Sequence, residues 1–485
     1  MKHLLILQIL LLLNLTIIAQ NPTLTFQVGN NEEAFCHTDK ITDNQSISYS
    51  NVSVLTPQTN TKEVSASTLQ QITSDQPEPT YRRSSLYPIL LETDPVFKEQ
   101  DEVELQRLVM ESYTKAPFPE KYNDHRLNEV NFRFKDYVSL SPEELAELGD
   151  EGDEGDEKKG RKKDEKYIAA SERFLKEKNI AKGMVAKWFN RKADGTFDMS
   201  LIHERGSYDA SAMSVQLASG SIRGMSILQD AGEELIKNTF VVINRMRFVK
   251  NEPIARAIRD IAYVTASQIK NELAQNLTVN AANIAYNLAK DGYSVWTVSY
   301  LYQLEWNDDL ANNFYENMWM DESNISEERK HLFETTDIFK LNFIGFEKSK
   351  SLVLLGAGKS KEEIIEVATI RNIDRTYVKL QKAYDVFKTK TPIVSTNPIV
   401  AKIGMKEGVE SGDKFEVLEM VVDKKTGLTK YATVGQIKVN KKQIWDNRYA
   451  LSPADIDNPE QAKLNGTAFK GSKKIMAGML IRQVK

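Results

Sequence analysis

The sequence predicts a multidomain α+β protein, in which a central mixed αβ domain over residues 167–390 is followed by a small C-terminal antiparallel β barrel or sandwich over residues 391–485. Three observations carry this. Between Ile227 and Phe387, apolar residues recurring every three or four positions alternate with β-branched or strictly alternating runs, as expected of a sheet covered by helices. After Pro392 the helical periodicity stops, and short alternating runs separated by turn residues take over. The block from Gly149 to Lys166, acid then base with no apolar residue, marks a charged linker or loop between an N-terminal helical or mixed region (81–148) and the central domain.

Residues 1–19 are expected to be a signal peptide. Met1-Lys2-His3 is positively charged, Leu4 to Ile18 is mostly apolar, and Ala19 closes the run with a small residue. An apolar run of about 15 residues falls short of the ~20 that span a bilayer as a permanent helix, so cleavage after Ala19 and export are expected. No later segment reaches spanning length. The single cysteine, Cys36, lies well past the apolar run, so the chain is not expected to be a lipoprotein, and one cysteine makes no intramolecular disulfide. That usage fits a Gram-negative periplasm, or association with the outer membrane, better than secretion from a eukaryotic cell.

Residues 20–80, rich in Asn, Thr, Ser and Gln, read as a polar mobile leader. A helix is expected around Asp101 to Tyr113, with Leu105, Leu108 and Val109 on one face and Pro117 and Pro119 ending it. Ile227 to Lys237 reads as a helix delivering Thr239 to Asn244, a buried strand. Pro253 opens a long helix along which Ile254, Ile258, Ile261, Thr265, Ile269 and Leu273 recur; a break is expected near Thr278 and an end at Gly292.

Ser294 to Trp306 alternates strictly, with Trp296, Val298, Tyr300, Tyr302, Leu304 and Trp306 on one face of a strand. A core-facing strand is preferred to a membrane-inserted hairpin with aromatic ends, because no partner hairpin strand is evident. Ser360 with Glu363 three residues on is a capping box, and it opens a helix whose stripe runs through Ile373, Tyr377, Leu380, Tyr384 and Phe387. In the last region Lys414 to Val422, Tyr431 to Val439 and Ile475 to Val484 are strand candidates, Asp423 to Gly427 is a turn, and the polar stretch 452–474 is an inserted loop.

Two stretches, Leu228 to Asn244 (LQDAGEELIKNTFVVIN) and Ala401 to Val417 (AKIGMKEGVESGDKFEV), together with the order of elements, carry a family resemblance. They resemble the cell-envelope assembly proteins related to the curli secretion channel CsgG and the flagellar-base protein FlgT. The first looks like a helix delivering a buried strand, and the second like the small β domain that closes FlgT-like chains. The resemblance implies a non-enzymatic part in building or bracing an envelope assembly. The chain departs from the CsgG pattern in lacking a lipidated cysteine, so a pore does not follow.

Several constellations invite chemistry and each has a plainer reading. Gly356-Ala-Gly-Lys-Ser360 is placed like a phosphate-binding loop, but the full pattern needs glycine where Val353 stands, and an exported protein would meet no ATP. The acidic run 150–157 lacks the alternate ligands and closing Glu of an EF-hand calcium loop. Ser267-Gln-Ile-Lys270, Tyr315-Glu-Asn317 and Lys425-Thr-Gly427 match in order the elements of penicillin-binding enzymes, with Ser267 as nucleophile and Lys270 as base. Ser267 nevertheless reads as lying deep in a helix and Lys425 to Gly427 as a hairpin turn. The five histidines show no metal-ligand spacing, and His203-Glu204 is read in an alternating segment, where the two side chains point apart.

No catalytic, cofactor-binding or metal-binding residues and no cofactor are therefore expected. With 64 Lys and Arg against 68 Asp and Glu, nothing calls for nucleic acid. The function expected is that of an exported, non-catalytic scaffold or assembly component whose partners are envelope proteins or further copies of the chain. A serine acyl-transfer enzyme acting on cell-wall peptides and a channel-forming oligomer are the alternatives.

Overall fold

The structure is a computed structural model that describes residues 82, 84–93, 100–138, 157–208, 234–250, 252–290, 293–353, 360–422, 429–450, 463–471 and 475–484. The chain is α+β, with a helix-covered sheet followed by a closed barrel. The signal peptide, the leader, Cys36, the acidic run 150–156, the loop 356–359 and the turn Asp423 to Gly427 lie outside the described residues.

The sheet contains β1 (Ser85–Glu92), β2 (Asn123–Asp124), β3 (Asn131–Arg133), β4 (Thr239–Lys250), β5 (Tyr293–Leu304) and β6 (Leu341–Val353). Their order is β2-β1-β4-β5-β6, and β3 lies beside β1 further along the edge that β2 begins. β1 runs parallel to β4 through seven register pairs, Ser85 with Thr239 to Leu91 with Arg245. Segment 81–148, read from sequence as a separate region, therefore shares one sheet with the central segment. A parallel pair needs a long crossover, and a pairing of that kind leaves no local mark in the sequence. β4 with β5 and β5 with β6 are antiparallel.

Nine helices are described: α1 (Gln100–Lys115), α2 (Glu157–Glu177), α3 (Ile180–Trp188), α4 (Ser200–Tyr208), α5 (Glu252–Ala266), α6 (Glu272–Ala289), α7 (Asp308–Asn317), α8 (Glu327–Thr335) and α9 (Lys361–Ala383). Because side chains alternate along a strand, the sheet feeds two cores. Tyr87, Ile89, Val241, Ile243, Val298, Tyr300 and Tyr302 meet Phe174, Met184, Trp188, Phe314 and Phe333 from α2, α3, α7 and α8. Leu86, Leu90, Phe240, Val242 and Leu301 meet Leu105 and Val109 of α1 and Ile365, Tyr377 and Leu380 of α9. The expected stripe of β5 faces a core at Val298, Tyr300, Tyr302 and Leu304, while Trp296 is half-buried beneath Lys350, and β5 lies between β4 and β6.

Other sequence expectations change as well. Residues 157–166, read as linker, form the first half of α2. The physical reason is Asp164, 3% exposed, whose carboxylate receives Lys348 Nζ at 2.6 Å and the Tyr300 hydroxyl at 3.3 Å and lies 3.9 Å from the Arg245 guanidinium. His203 and Glu204 sit on helix α4, not in an alternating segment, and both are exposed. The long helix breaks at 267–271 rather than near Thr278, because the Asn271 side chain caps α6 by accepting from Ala274 N, while the Thr278 hydroxyl bonds back to Ala274 O and stays helical. The stretch 452–474 contains a strand, as the barrel shows.

The barrel strands are β7 (Thr391–Thr396), β8 (Ile399–Ala401), β9 (Lys414–Val422), β10 (Thr429–Val439), β11 (Thr467–Lys470) and β12 (Leu480–Gln483), closed in the antiparallel order β10-β11-β8-β7-β12-β9. β11 comes from the supposed loop, and its Phe469 packs on Phe415 at 5.2 Å in the barrel core. β12 is shorter than the sequence suggests, since Gly478 turns with φ +87° and leaves Ile475 and Met479 in the core ahead of the strand. Closure removes the free edges that so short a set of strands would otherwise expose. The barrel is tied to the helix-covered sheet by Lys390 and the Tyr431 hydroxyl on Glu234 (3.3 and 3.0 Å), and by Arg371 on the carbonyl of Tyr449 (2.9 Å).

Candidate functional site

Between the end of β4 and the start of β5 the chain makes a helical hairpin, α5 and α6. Its polar groups are used within it. Glu252 receives Arg256 Nε (2.9 Å) and the Tyr286 hydroxyl (3.0 Å), the Tyr263 hydroxyl donates to Asn283, and the Arg259 guanidinium lies 4.2 Å from the Tyr286 ring centroid. The outer surface is unlike that of a solvated helix, which normally carries charge on its exposed side. Leu273, Leu277 and Ile284 of α6 are 72%, 61% and 55% exposed, with exposed Asn276, Asn280, Ala281 and Asn287 among them. No charged residue occurs between Glu272 and Lys290. Ile261 and Val264 of α5 are also exposed, and among the described side chains of the hairpin only Ala255 and Ala266 are buried.

A second feature is a cleft of about 320 Å³ between α1 and α9, floored by β1 and β3, with Pro88, Leu90, Met110, Phe118, Ile373 and Tyr377 in its walls. Asp374 lines it, and burial pushes its carboxyl up to about 7, with Glu407 and Glu120 adding to the rise and Lys406 opposing it. Close to the cleft, Asn244 donates to the hydroxyls of Tyr113 (3.2 Å) and Tyr377 (3.3 Å) and accepts from Ser299 (2.6 Å). Burial raises both tyrosines, so they remain neutral hydrogen-bonding groups. The cleft can hold a small apolar group beside neutral polar ones.

No family model matches the chain, and no curated protein matches it. The residues singled out from sequence are distributed as follows. Ser267 lies just past the end of α5, with its hydroxyl bonded to Val264 O at 2.8 Å, and Lys270 is in the same turn. Tyr315 and Asn317 are on α7, where Tyr315 packs on Phe189 and Asn317 donates to Asn313. Ser267 and Lys270 thus lie in the turn between α5 and α6, ahead of β5, and Tyr315 and Asn317 lie on α7, beyond it. The Ser267 hydroxyl is spent on Val264 O, and among the described residues no hydrogen bond joins Ser267 or Lys270 to Tyr315 or Asn317. Lys425 to Gly427 lie outside the described residues, and Ser360 caps α9 as its spacing to Glu363 predicts.

His125 is fully buried and satisfied. Its Nε2 lies 3.0 Å from Met184 O, its Nδ1 lies 3.0 Å from Arg205 Nη1, and its ring stacks on Trp188. Burial, with Arg205 beside it, holds its pKa well below the ordinary histidine value. His203 and His331 are exposed. Among the described residues no three His, Cys, Asp or Glu side chains are grouped to hold a metal ion.

Sequence reasoning passed over the hairpin face. The signal was present in the 4-3-4-3 spacing of Leu273, Leu277, Asn280, Ile284 and Asn287. Asp374 and Asn244 gave no such signal, because the walls around them come from segments distant in the chain.

Proposed function

We propose that this chain is an exported, non-catalytic component of the bacterial cell envelope, acting as a scaffold or assembly component through protein–protein contacts. The observation that carries the reading is the uncharged outer face of α6 with its exposed Leu273, Leu277 and Ile284, since exposed apolar surface of this kind marks an interaction site. The basic, apolar and small-residue order of residues 1–19 supports export, and the resemblance to CsgG- and FlgT-like assembly proteins supports the envelope as the place of work. Its partners are envelope proteins or further copies of the chain.

The test is the native mass of the protein extracted from envelopes, with and without mild detergent. A defined complex in both conditions is expected. A monodisperse soluble monomer in both would refute the reading.

A further inference from the structure

The outer face of α6 carries a regular seam. Leu273, Leu277, Asn280, Ile284 and Asn287 follow a 4-3-4-3 spacing and are all exposed. That spacing, averaging 3.5 residues, is the one that keeps a stripe against a partner helix in a coiled coil. Two of the five seam positions are asparagine, which a partner helix would desolvate. An amide is both donor and acceptor, so an identical amide opposite satisfies it, whereas an apolar residue opposite leaves it unpaired at a cost. The seam also has no charge between Glu272 and Lys290, so two copies can approach without like-charge repulsion.

We infer that α6 pairs with α6 of a second copy of this chain, parallel and in register, across a two-fold axis running along the hairpin. In that arrangement Leu273, Leu277 and Ile284 each meet their own counterpart, and so do Asn280 and Asn287. An antiparallel pairing that keeps the seam in contact would set Leu273 against Ile284 and Leu277 against Asn280, leaving that amide facing an apolar side chain. Lipid is a poorer occupant, because seam amides would enter hydrocarbon without partners, and among the described residues no helix is long and apolar enough to cross a membrane. The seam spans two heptads, short for a free helix pair, but α6 is already braced against α5 by the Tyr263–Asn283 and Tyr286–Glu252 bonds, so ordering the helix adds little to the cost of association. The inference rests on the reading above that the hairpin is the contact surface, and adds the identity of the partner and the register.

The test uses the full chain with Cys36→Ser, carrying either Ile284→Cys on the seam or Val264→Cys on α5, oxidised in intact envelopes and in dilute solution. Ile284→Cys is expected to give a disulfide-linked dimer and Val264→Cys no linked species, because facing in-register seam positions lie within disulfide reach. In parallel, the paired change Leu277→Glu and Ile284→Glu is expected to halve the native mass while leaving the far-ultraviolet circular dichroism unchanged, as both side chains are exposed in the single chain.

Links between Leu277→Cys and Ile284→Cys chains in a mixture, at the expense of 284–284 links, would overturn the parallel register. A complex that persists in the double glutamate variant would place the contact elsewhere, overturning the pairing but not the scaffold reading. A complex lost in that variant without any 284–284 link would put a different protein on the hairpin, with the same consequence. A monomer under every condition would overturn both.

Discussion

Gly345 on the outer strand β6 is expected to be intolerant of even a methyl group, for a reason that lies just past the end of α9. Its φ is +157°, and a Cβ there would stand 2.7 Å from Tyr384 Cε1 and closer still to the rest of the phenol. The ring is not free to move aside, because its hydroxyl accepts from Phe346 N at 3.1 Å and donates to Phe346 O at 3.2 Å. Gly345→Ala should therefore lose both hydrogen bonds, about 1 kcal/mol each, and add about 1 kcal/mol of backbone strain, for a total near 3 kcal/mol. Tyr384→Phe, which keeps the ring, should cost about 1–2 kcal/mol. In a Tyr384→Ala background the alanine at 345 should cost only its backbone share, about 1 kcal/mol, leaving a coupling near 2 kcal/mol. Urea unfolding followed by tryptophan fluorescence would measure this, since four of the five tryptophans, Trp188, Trp296, Trp306 and Trp319, lie in the helix-covered sheet or in the loops packed beside it. An unchanged cost of Gly345→Ala after Tyr384 is removed would refute the steric argument. The consequence reaches beyond one residue: Tyr384, Lys379 and Arg375 together engage the outward carbonyls of Phe346, Lys348 and Lys350, which blunts the edge of the sheet against adding another strand.

Asn372→Leu should destabilise the fold by about 2–3 kcal/mol in the same urea assay, because the buried amide donates to Val295 O (2.9 Å) and Thr297 Oγ1 (2.7 Å) and accepts from Ser349 Oγ (2.8 Å), and the buried Ser349 hydroxyl would lose its acceptor. Asp164→Ala should cost about 3 kcal/mol or more, as it leaves the Arg245 guanidinium, 8% exposed, without its carboxylate, whereas Lys348→Ala, removing an exposed cation, should cost less; equal costs would refute the ranking. His125 has a depressed folded pKa, so the folded state binds fewer protons and stability should fall as pH drops below about 6.5, by up to about 1.4 kcal/mol per pH unit, a slope that His125→Gln should remove from urea midpoints measured between pH 5 and 7. Asp374 has the opposite sign: its folded pKa is raised to about 7, so its contribution is present at low pH and is lost as pH rises from about 4 towards 7, and Asp374→Asn should gain stability relative to the parent above pH 7.

The sequence by itself determined the local elements. The spacing of Leu105, Leu108 and Val109, the Ser360–Glu363 box, the alternation through β5 and the β-branched run opening β4 each encode a structure that depends on neighbours within a turn or a pleat. It also carried the α+β class and the change after Pro392 to a small antiparallel barrel or sandwich, which the fold resolves as a closed barrel. Tertiary structure alone decided which segments share a sheet. β1 reaches β4 across about 150 residues, a pairing set by burial on both faces and not by any residue beside it. The same holds for Asp164, solvated by every local criterion yet held by cations and a tyrosine from β4, β5 and β6, and for β11, whose Thr467-Ala-Phe469 is too short to announce a strand until β8 and β10 stand on either side. The hairpin face falls between the two cases. Its heptad spacing was written in the sequence, but an apolar stripe on a helix ordinarily faces its own core, and only the fold shows that this one does not.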